Sequence, residues 1–343
     1  MQKLRVLVVD DSILFRELLV RAINKDPGLE VVAVAGDAYE ARDRIVEFRP
    51  DVMTLDVELP KMSGIEFIRR LLPQYYIPIV CVSALNGNVF DALEAGAVDF
   101  VNKPSGMTAQ AVEDFVLREL NTKIKIASMA KPRMVQENHR HTALAANASG
   151  NDRVIAIGAS TGGTEAIFDV IKNFGQNIPG VVVVQHMPPV FTAMYAERLN
   201  RQCLVAVKEA KDGDYVRRGQ VLIAPGDKHM RLVKTGGVYR VECKEGEKVS
   251  GHCPSVDVLF RSVAEAAGDK AIGVILTGMG ADGAKGLLAM RKAGAQTIGQ
   301  DEESCVVYGM PKVAYDNGAV QYQVSLTQVA DKVHALLNQH KST

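Results

Sequence analysis

The chain has 343 residues, with 40 Lys and Arg balanced by 40 Asp and Glu, so it lacks the overall cationic field that draws proteins to nucleic acid or anionic lipid. Two domains with separate cores are expected, because a single core seldom grows beyond about 250–300 residues. The 5 cysteines are scattered without a C-x-x-C pair, and no apolar run approaches the roughly 18 residues a membrane helix needs, which predicts reduced thiols, a cytoplasmic location and no inserted segment. The opening Met1-Gln-Lys-Leu-Arg5 leads into an apolar run stopped by Asp10 and Asp11, too short and too acidic at its end for a signal peptide.

In chain order, β-rich apolar runs at 5–9, 31–35, 52–55, 79–82 and 100–101 alternate with helical periods. Such alternation predicts a parallel sheet covered on both faces. Asp10 and Asp11 close the first run, Asp56 closes the third, Ser83 follows the fourth and Lys103 follows the fifth. Doubly wound sheets build their sites at those strand ends. Singly, such carboxylates are helix caps or solvated loop residues; gathered at one edge they repel unless a hard cation such as Mg²⁺ neutralises them. A phosphoryl group arriving at Asp56 would then meet the metal, the Lys103 ammonium and the Ser83 hydroxyl.

Across 131–151 the rhythm stops, in a stretch containing His139-Arg-His141 that reads as solvated linker. The predicted organisation is therefore a domain at 1–130, a linker at 131–151 and a second domain at 152–343. Alternation resumes at 154–157, 181–184 and 271–276, while 231–233 and 238–241 around Lys234-Thr-Gly-Gly237 read as an inserted hairpin. The fold class is α/β throughout: an N-terminal doubly wound parallel sheet, then a second doubly wound domain carrying that hairpin. Cys243, His252 and Cys253 lack the regular spacing and fourth ligand of a structural zinc site.

The chemistry of the second domain centres on Gly158, Ser160 and Gly162, a G-x-S-x-G elbow that turns a strand sharply into a helix and exposes the serine hydroxyl. Amides opening that helix offer donors to a developing oxyanion. Such a turn also suits a dinucleotide, but that fingerprint needs glycine at Ser160 and an acidic residue after the next strand, where Gln185 and His186 stand. A DNA-binding output domain would be smaller and basic, and nothing reads as a helix-turn-helix. His186 follows a buried strand, while His229 and His252 fall in nearby loops; the residues alone leave the choice of base among the three open. Asp282, after a glycine turn, reads either as the acid orienting an imidazole or as the N-cap of a helix starting near Gly283.

The first half resembles, from end to end, the phosphoacceptor receiver domain of two-component response regulators, a (βα)5 fold. That resemblance makes Asp56 the phosphorylated residue, Asp10 and Asp11 the acidic pair holding Mg²⁺ with it, Ser83 and Lys103 its supports, and Phe100 the aromatic switch. The second half carries Gly158-Ala-Ser-Thr-Gly-Gly163, Gln185-His-Met-Pro188, Ala224-Pro-Gly-Asp227 with His229, Pro254-Ser-Val-Asp-Val-Leu-Phe260 and Leu276-Thr-Gly-Met-Gly-Ala-Asp-Gly283. These are similar to the successive signatures of the chemotaxis protein-glutamate methylesterase (CheB) family.

The resemblance implies Ser160 as nucleophile, His186 as base and Asp282 as orienting acid, and the amides of Thr161 and Met279 are expected to form the oxyanion hole. It implies methyl-accepting chemotaxis receptors as substrate, with some receptor glutamines deamidated, and a chemotaxis histidine kinase as phosphodonor. No organic cofactor is expected. It further implies that the receiver restrains the esterase until Asp56 is phosphorylated.

Overall fold

A computed structural model describes residues 3–84, 88–104, 106, 108–131 and 153–339, in two compact units, Met1–Arg133 and Met134–Thr343. All of the expected linker beyond Lys131 lies outside the described residues. Among the described residues, no helix is long and apolar enough to cross a membrane.

In the first unit the chain runs β1 (Leu4–Val9), α1 (Ile13–Ile23), β2 (Leu29–Ala35), α2 (Ala38–Phe48), β3 (Val52–Asp56), α3 (Gly64–Leu71), β4 (Ile79–Ser83), α4 (Val89–Glu94) and β5 (Asp99–Asn102), then α5 (Ala109–Phe115), a π-helical segment (Val116–Leu120) and α6 (Asn121–Ala127). The strands form one sheet in the order β2-β1-β3-β4-β5, and every neighbouring pair is parallel. Every residue of β3 and β4 is buried, as continuous apolar runs require when helices cover both faces. The chain winds outward from β1 to β2 and then crosses to β3 on the other side. That reversal opens a crevice at the carboxyl ends of β1 and β3, where Asp10 and Asp56 lie.

The second unit runs β6 (Val154–Ala159), α7 (Gly163–Ile171), β7 (Gly180–Gln185), α8 (Phe191–Gln202), β8 (Ala206–Glu209), β9 (Gln220–Ile223), β10 (His229–Thr235), β11 (Val238–Lys244), α9 (Val256–Ala267), β12 (Ala271–Ile275), α10 (Ala284–Lys292), β13 (Gln296–Gln300), α11 (Met310–Asp316), β14 (Tyr322–Val324) and α12 (Leu326–Gln339). Seven strands form a parallel sheet in the order β14-β13-β12-β6-β7-β9-β8. Strand β6 lies between β7 and β12, so this sheet has its switch point at the elbow.

Strands β10 and β11 form the inserted hairpin, and their Met230, Leu232, Tyr239 and Val241 pack into the core with Phe260 and Val263 of α9. The hairpin differs from expectation in its turn. Lys234 and Thr235 continue β10, because Gly236 and Gly237, with φ of 59° and 81°, close a two-residue turn unaided. Strands β8, β9, β13 and β14 carry no strong sequence signal, being three to five residues long with polar members.

Candidate active site and phosphoacceptor site

Ser160 follows the last residue of β6 and is held from both neighbouring strands. Its amide donates to the Thr277 carbonyl at 3.0 Å, and the His186 amide donates to the Ala159 carbonyl at 3.2 Å, so both ladders continue past the strand ends. Adjacent parallel strands lie about 4.8 Å apart, and register sets Ala159 opposite Gln185, which brings Ser160 level with His186. Gly162 turns the chain into α7 at φ +75°, and a Cβ there would lie 2.7 Å from Val306. The serine therefore sits on a strand-to-helix elbow, half-buried.

Two residues around the elbow were not among the sequence expectations. Gly278 lets the β12–α10 loop press against the serine, since a Cβ there would meet Ser160 Cβ at 2.7 Å. Gln185 donates its side-chain amide to the Ser160 carbonyl at 2.9 Å and fills the space a Cβ on Gly163 would need. For both, the signal was a motif position, glycine in Leu276-Thr-Gly-Met and glutamine in Gln185-His-Met-Pro188, whose role needs the fold. Thr161 is buried, and its carbonyl accepts from the Thr277 hydroxyl at 3.0 Å. Met279 follows Gly278 on the same loop and is 39% exposed.

Asp282 is 1% exposed and accepts four hydrogen bonds. Oδ1 takes the Ser255 hydroxyl at 2.8 Å and the Asp257 amide at 3.0 Å; Oδ2 takes the Val256 amide at 2.7 Å and His186 Nε2 at 2.8 Å. Burial works to raise its carboxyl, but the His186 contact and these donors outweigh it and hold Asp282 below the ordinary value of 3.8. The capping alternative is corrected in one respect. The carboxylate serves the N-terminus of α9, not the helix after Gly283, because Gly283 at φ +87° turns the chain into α10 while Asp282 points back to the unpaired amides of α9.

The three histidines now separate. His186 Nε2 is bonded to the ionised Asp282, so it carries the proton and donates, leaving Nδ1 buried, without a partner and able to accept. No hydrogen bond yet joins that nitrogen to Ser160. His229 opens β10 rather than lying in a loop: its Nδ1 accepts from the Ser255 amide at 3.2 Å and its Nε2 donates to the Glu247 carbonyl at 2.8 Å. With both nitrogens occupied, it supports Ser255 and has no site left for a proton. His252 lies face to face with His186, ring centroids 3.7 Å apart.

In the first unit, Asp10, Asp11 and Asp56 bring carboxylate oxygens within 4.8 Å of one another, with Asp10 and Asp56 buried and Asp11 exposed. Lys103 Nζ donates to Asp56 Oδ2 at 2.6 Å and is ion-paired with Asp10 Oδ2 at 2.7 Å. Burial raises the Asp56 carboxyl above its ordinary value, and Lys103, partly opposing, does not cancel the rise. Burial works to lower the Lys103 ammonium, yet the two carboxylates together raise it. Three carboxylates gathered around one lysine form a hard-oxygen donor set that fits Mg²⁺.

Ser83 is fully buried at the end of β4, and its carbonyl accepts the Lys103 amide at 2.8 Å. Phe100 is 5% exposed and meets Phe90 edge to face, centroids 6.2 Å apart.

Residues 155–333 match the family described as CheB methylesterase, and residues 6–112 match the response regulator receiver domain. The protein-glutamate methylesterase/protein-glutamine glutaminase 2 of Syntrophomonas wolfei is 59% identical over 339 residues, covering 99% of each chain. The corresponding protein of Syntrophotalea carbinolica is 51% identical, again covering 99% of each. The crystal structure of the Thermotoga maritima CheB methylesterase catalytic domain, 40% identical, covers 55% of this chain and 99% of its own length with a TM-score of 0.53. The chain belongs to the CheB methylesterase family, with a response regulator receiver domain as its N-terminal unit.

Proposed function

We propose that this hydrolase removes glutamate γ-methyl esters from methyl-accepting chemotaxis receptors, releasing methanol, and deamidates selected receptor glutamines by the same route. The observation carrying the proposal is the hydrogen bond from His186 Nε2 to Asp282, which leaves Nδ1 as an acceptor beside the Ser160 elbow. Ser160 attacks the ester carbonyl while His186 Nδ1 takes its proton, and the amides of Thr161 and Met279 receive the oxyanion. His186 then returns the proton to departing methanol, or to ammonia when the substrate is glutamine. Water attacks the acyl-enzyme with His186 again as base and frees glutamate. Asp282 stays ionised throughout, stabilising the transient imidazolium.

The receiver makes the activity conditional. Asp56 takes a phosphoryl group from a chemotaxis histidine kinase; Asp10, Asp11 and Asp56 would hold Mg²⁺, which would neutralise the charge that gathers there. Lys103 and Ser83 then engage the phosphoryl oxygens, and the region of Ser83 and Phe100 shifts toward the arrangement that releases the esterase.

A single assay tests both parts: methanol counted from radiomethylated receptor membranes, with and without a small phosphodonor. Ser160→Ala is expected to lose several powers of ten in rate while Asp56 still accepts phosphate, since no acyl-enzyme can form. Near-normal release by that variant would end the serine assignment. Phosphodonor should stimulate the parent chain and leave Asp56→Asn at its basal rate.

A further inference from the structure

The rings of His252 and His186 lie 3.7 Å apart, centroid to centroid, with planes 8° from parallel. We infer that His252 is a positioning residue for the esterase, whose ring fixes the plane of the His186 imidazole and so keeps Nδ1 directed to receive the Ser160 proton. This inference rests on His186 being the base.

The need for such a residue follows from the shape of imidazole. Both ring nitrogens lie off the line of the Cβ–Cγ bond about which the ring turns, Nδ1 farther than Nε2. A twist about that bond displaces Nδ1 farther than Nε2, so the Nε2 bond to Asp282 resists the motion less than a partner on Nδ1 would. In histidine this torsion is broad rather than confined to staggered wells. Nδ1 has no hydrogen bond of its own to resist the twist. A flat ring in contact with one face does resist it, because an edge of the turning imidazole would be driven into its neighbour.

The backbone around His252 suits that task. Val249 and His252 exchange both backbone hydrogen bonds at 3.0 Å. Between them Ser250 and Gly251, with φ of 53° and 84°, form a two-residue turn with both residues left-handed. Ser250 Oγ reaches Asp257 Oδ2 at 3.4 Å, which ties the turn to the first turn of α9. That same turn of α9 supplies the amides that hold Asp282. One stretch of chain, 249–257, thus presents both the ring against His186 and the donors on its carboxylate partner.

The test compares His252→Ala and His252→Phe in the full-length chain, by methanol-release kinetics and by the ring-nitrogen signals of His186 in isotope-labelled protein. His252→Ala should lower kcat about 10- to 100-fold, the scale of loss expected from a slightly misplaced catalytic group, with KM within about 2-fold of the parent. His252→Phe, which keeps a flat ring and no titratable nitrogen, should hold kcat within about 3-fold, because the ring and not its protons does the positioning. The His186 signals should broaden in the alanine variant and stay sharp in the phenylalanine variant.

Unchanged kcat in His252→Ala overturns the inference. So does a folded His252→Phe as slow as His186→Ala, which would make His252 a proton carrier. Should His252→Ala fail to fold, the phenylalanine variant alone decides by the same criterion. If the parent chain itself released no methanol, the esterase reading would fall, and equal His186 linewidths in all folded chains would independently overturn the positioning role.

Discussion

The two units each bury a carboxylate at the carboxyl edge of a parallel sheet and treat it in opposite ways. Asp282 is buried beyond β12 and receives four hydrogen bonds, three of them from the residues that begin α9. Asp56 is buried at the end of β3 and receives the Glu58 amide at 3.0 Å and the Lys103 ammonium at 2.6 Å, with the Asp10 carboxylate beside it sharing that ammonium at 2.7 Å. The outcome is visible in their acidities: burial acts on both, but the donors win at Asp282 and lose at Asp56. A helix N-terminus aimed at a carboxylate makes it a permanent anion suited to holding an imidazole. A carboxylate crowded by another and sharing one ammonium with it stays less acidic, and on the proposed reading a cation and a phosphoryl group complete it.

The largest effect that would break this comparison is at Asp282. Asp282→Asn sets an amide N–H against a donor that Asp282 now accepts, and either His186 or the start of α9 loses its acceptor. Losing the His186 contact allows the proton to move to Nδ1, which then cannot receive one from Ser160, so kcat should fall about 10³- to 10⁴-fold. Stability should fall by about 2–4 kcal/mol, the cost of stranding buried donors. The sign with pH follows from the depressed acidity: the ionised carboxylate stabilises the fold above its ordinary value of 3.8 and loses that contribution as pH falls through the lower folded value. The stability gap between parent and variant, measured by urea unfolding, should therefore narrow below about pH 4. A gap that stays constant into acid would mean the charge of Asp282 contributes nothing.

A smaller change sharpens the same point. Ser255→Ala removes one donor from Asp282 and the cap of α9, leaving the two amides and His186 in place. The expected cost is about 1–2 kcal/mol in unfolding free energy, with kcat reduced about 10-fold or less because His186 keeps its partner. A kcat loss as large as that of Asp282→Asn would show that Ser255, and not the carboxylate, sets the geometry.

Much of this contrast was legible in the sequence, and the missing part has a physical cause. The buried parallel strands announce themselves as unbroken apolar runs, as in Val181-Val-Val-Val184, and the residues that follow them fall at the sheet edge by topology alone. Ser160, His186, Asp10 and Asp56 are visible in that way. Asp282 was visible as a residue but not in its environment, since its donors come from 25 to 27 positions earlier in the chain. His252 illustrates the same limit: its ring contact spans 66 positions and depends on a turn of Ser250 and Gly251 that no periodicity marks. His229 could not be told from a base until both its nitrogens were seen to be bonded. The short strands β8, β9 and β14 were missed because three or four residues give alternation too little length to register.

The smallest effect probes the receiver side, where removal of a functional carboxylate should stabilise. Because burial raises the Asp56 carboxyl, the folded unit holds that proton more tightly than the unfolded chain does. The stability linked to it is greatest below the ordinary value and declines as pH rises through the folded one, so at neutral pH the ionised group is a net cost. Asp56→Asn takes away one buried negative charge and leaves Lys103 facing Asp10. In the presence of a chelator, calorimetry of the full chain should then show the receiver transition moved up by a few degrees, about 1 kcal/mol for a unit of this size. Adding Mg²⁺ should raise the parent transition by mass action and raise the variant less, since one carboxylate of the three is gone. A lower transition for Asp56→Asn in chelator would mean that the Lys103 pair outweighs the burial of Asp56. Equal Mg²⁺ shifts in both chains would remove Asp56 from the metal site, and with it the contrast between a carboxylate that is finished by the fold and one that waits for an ion.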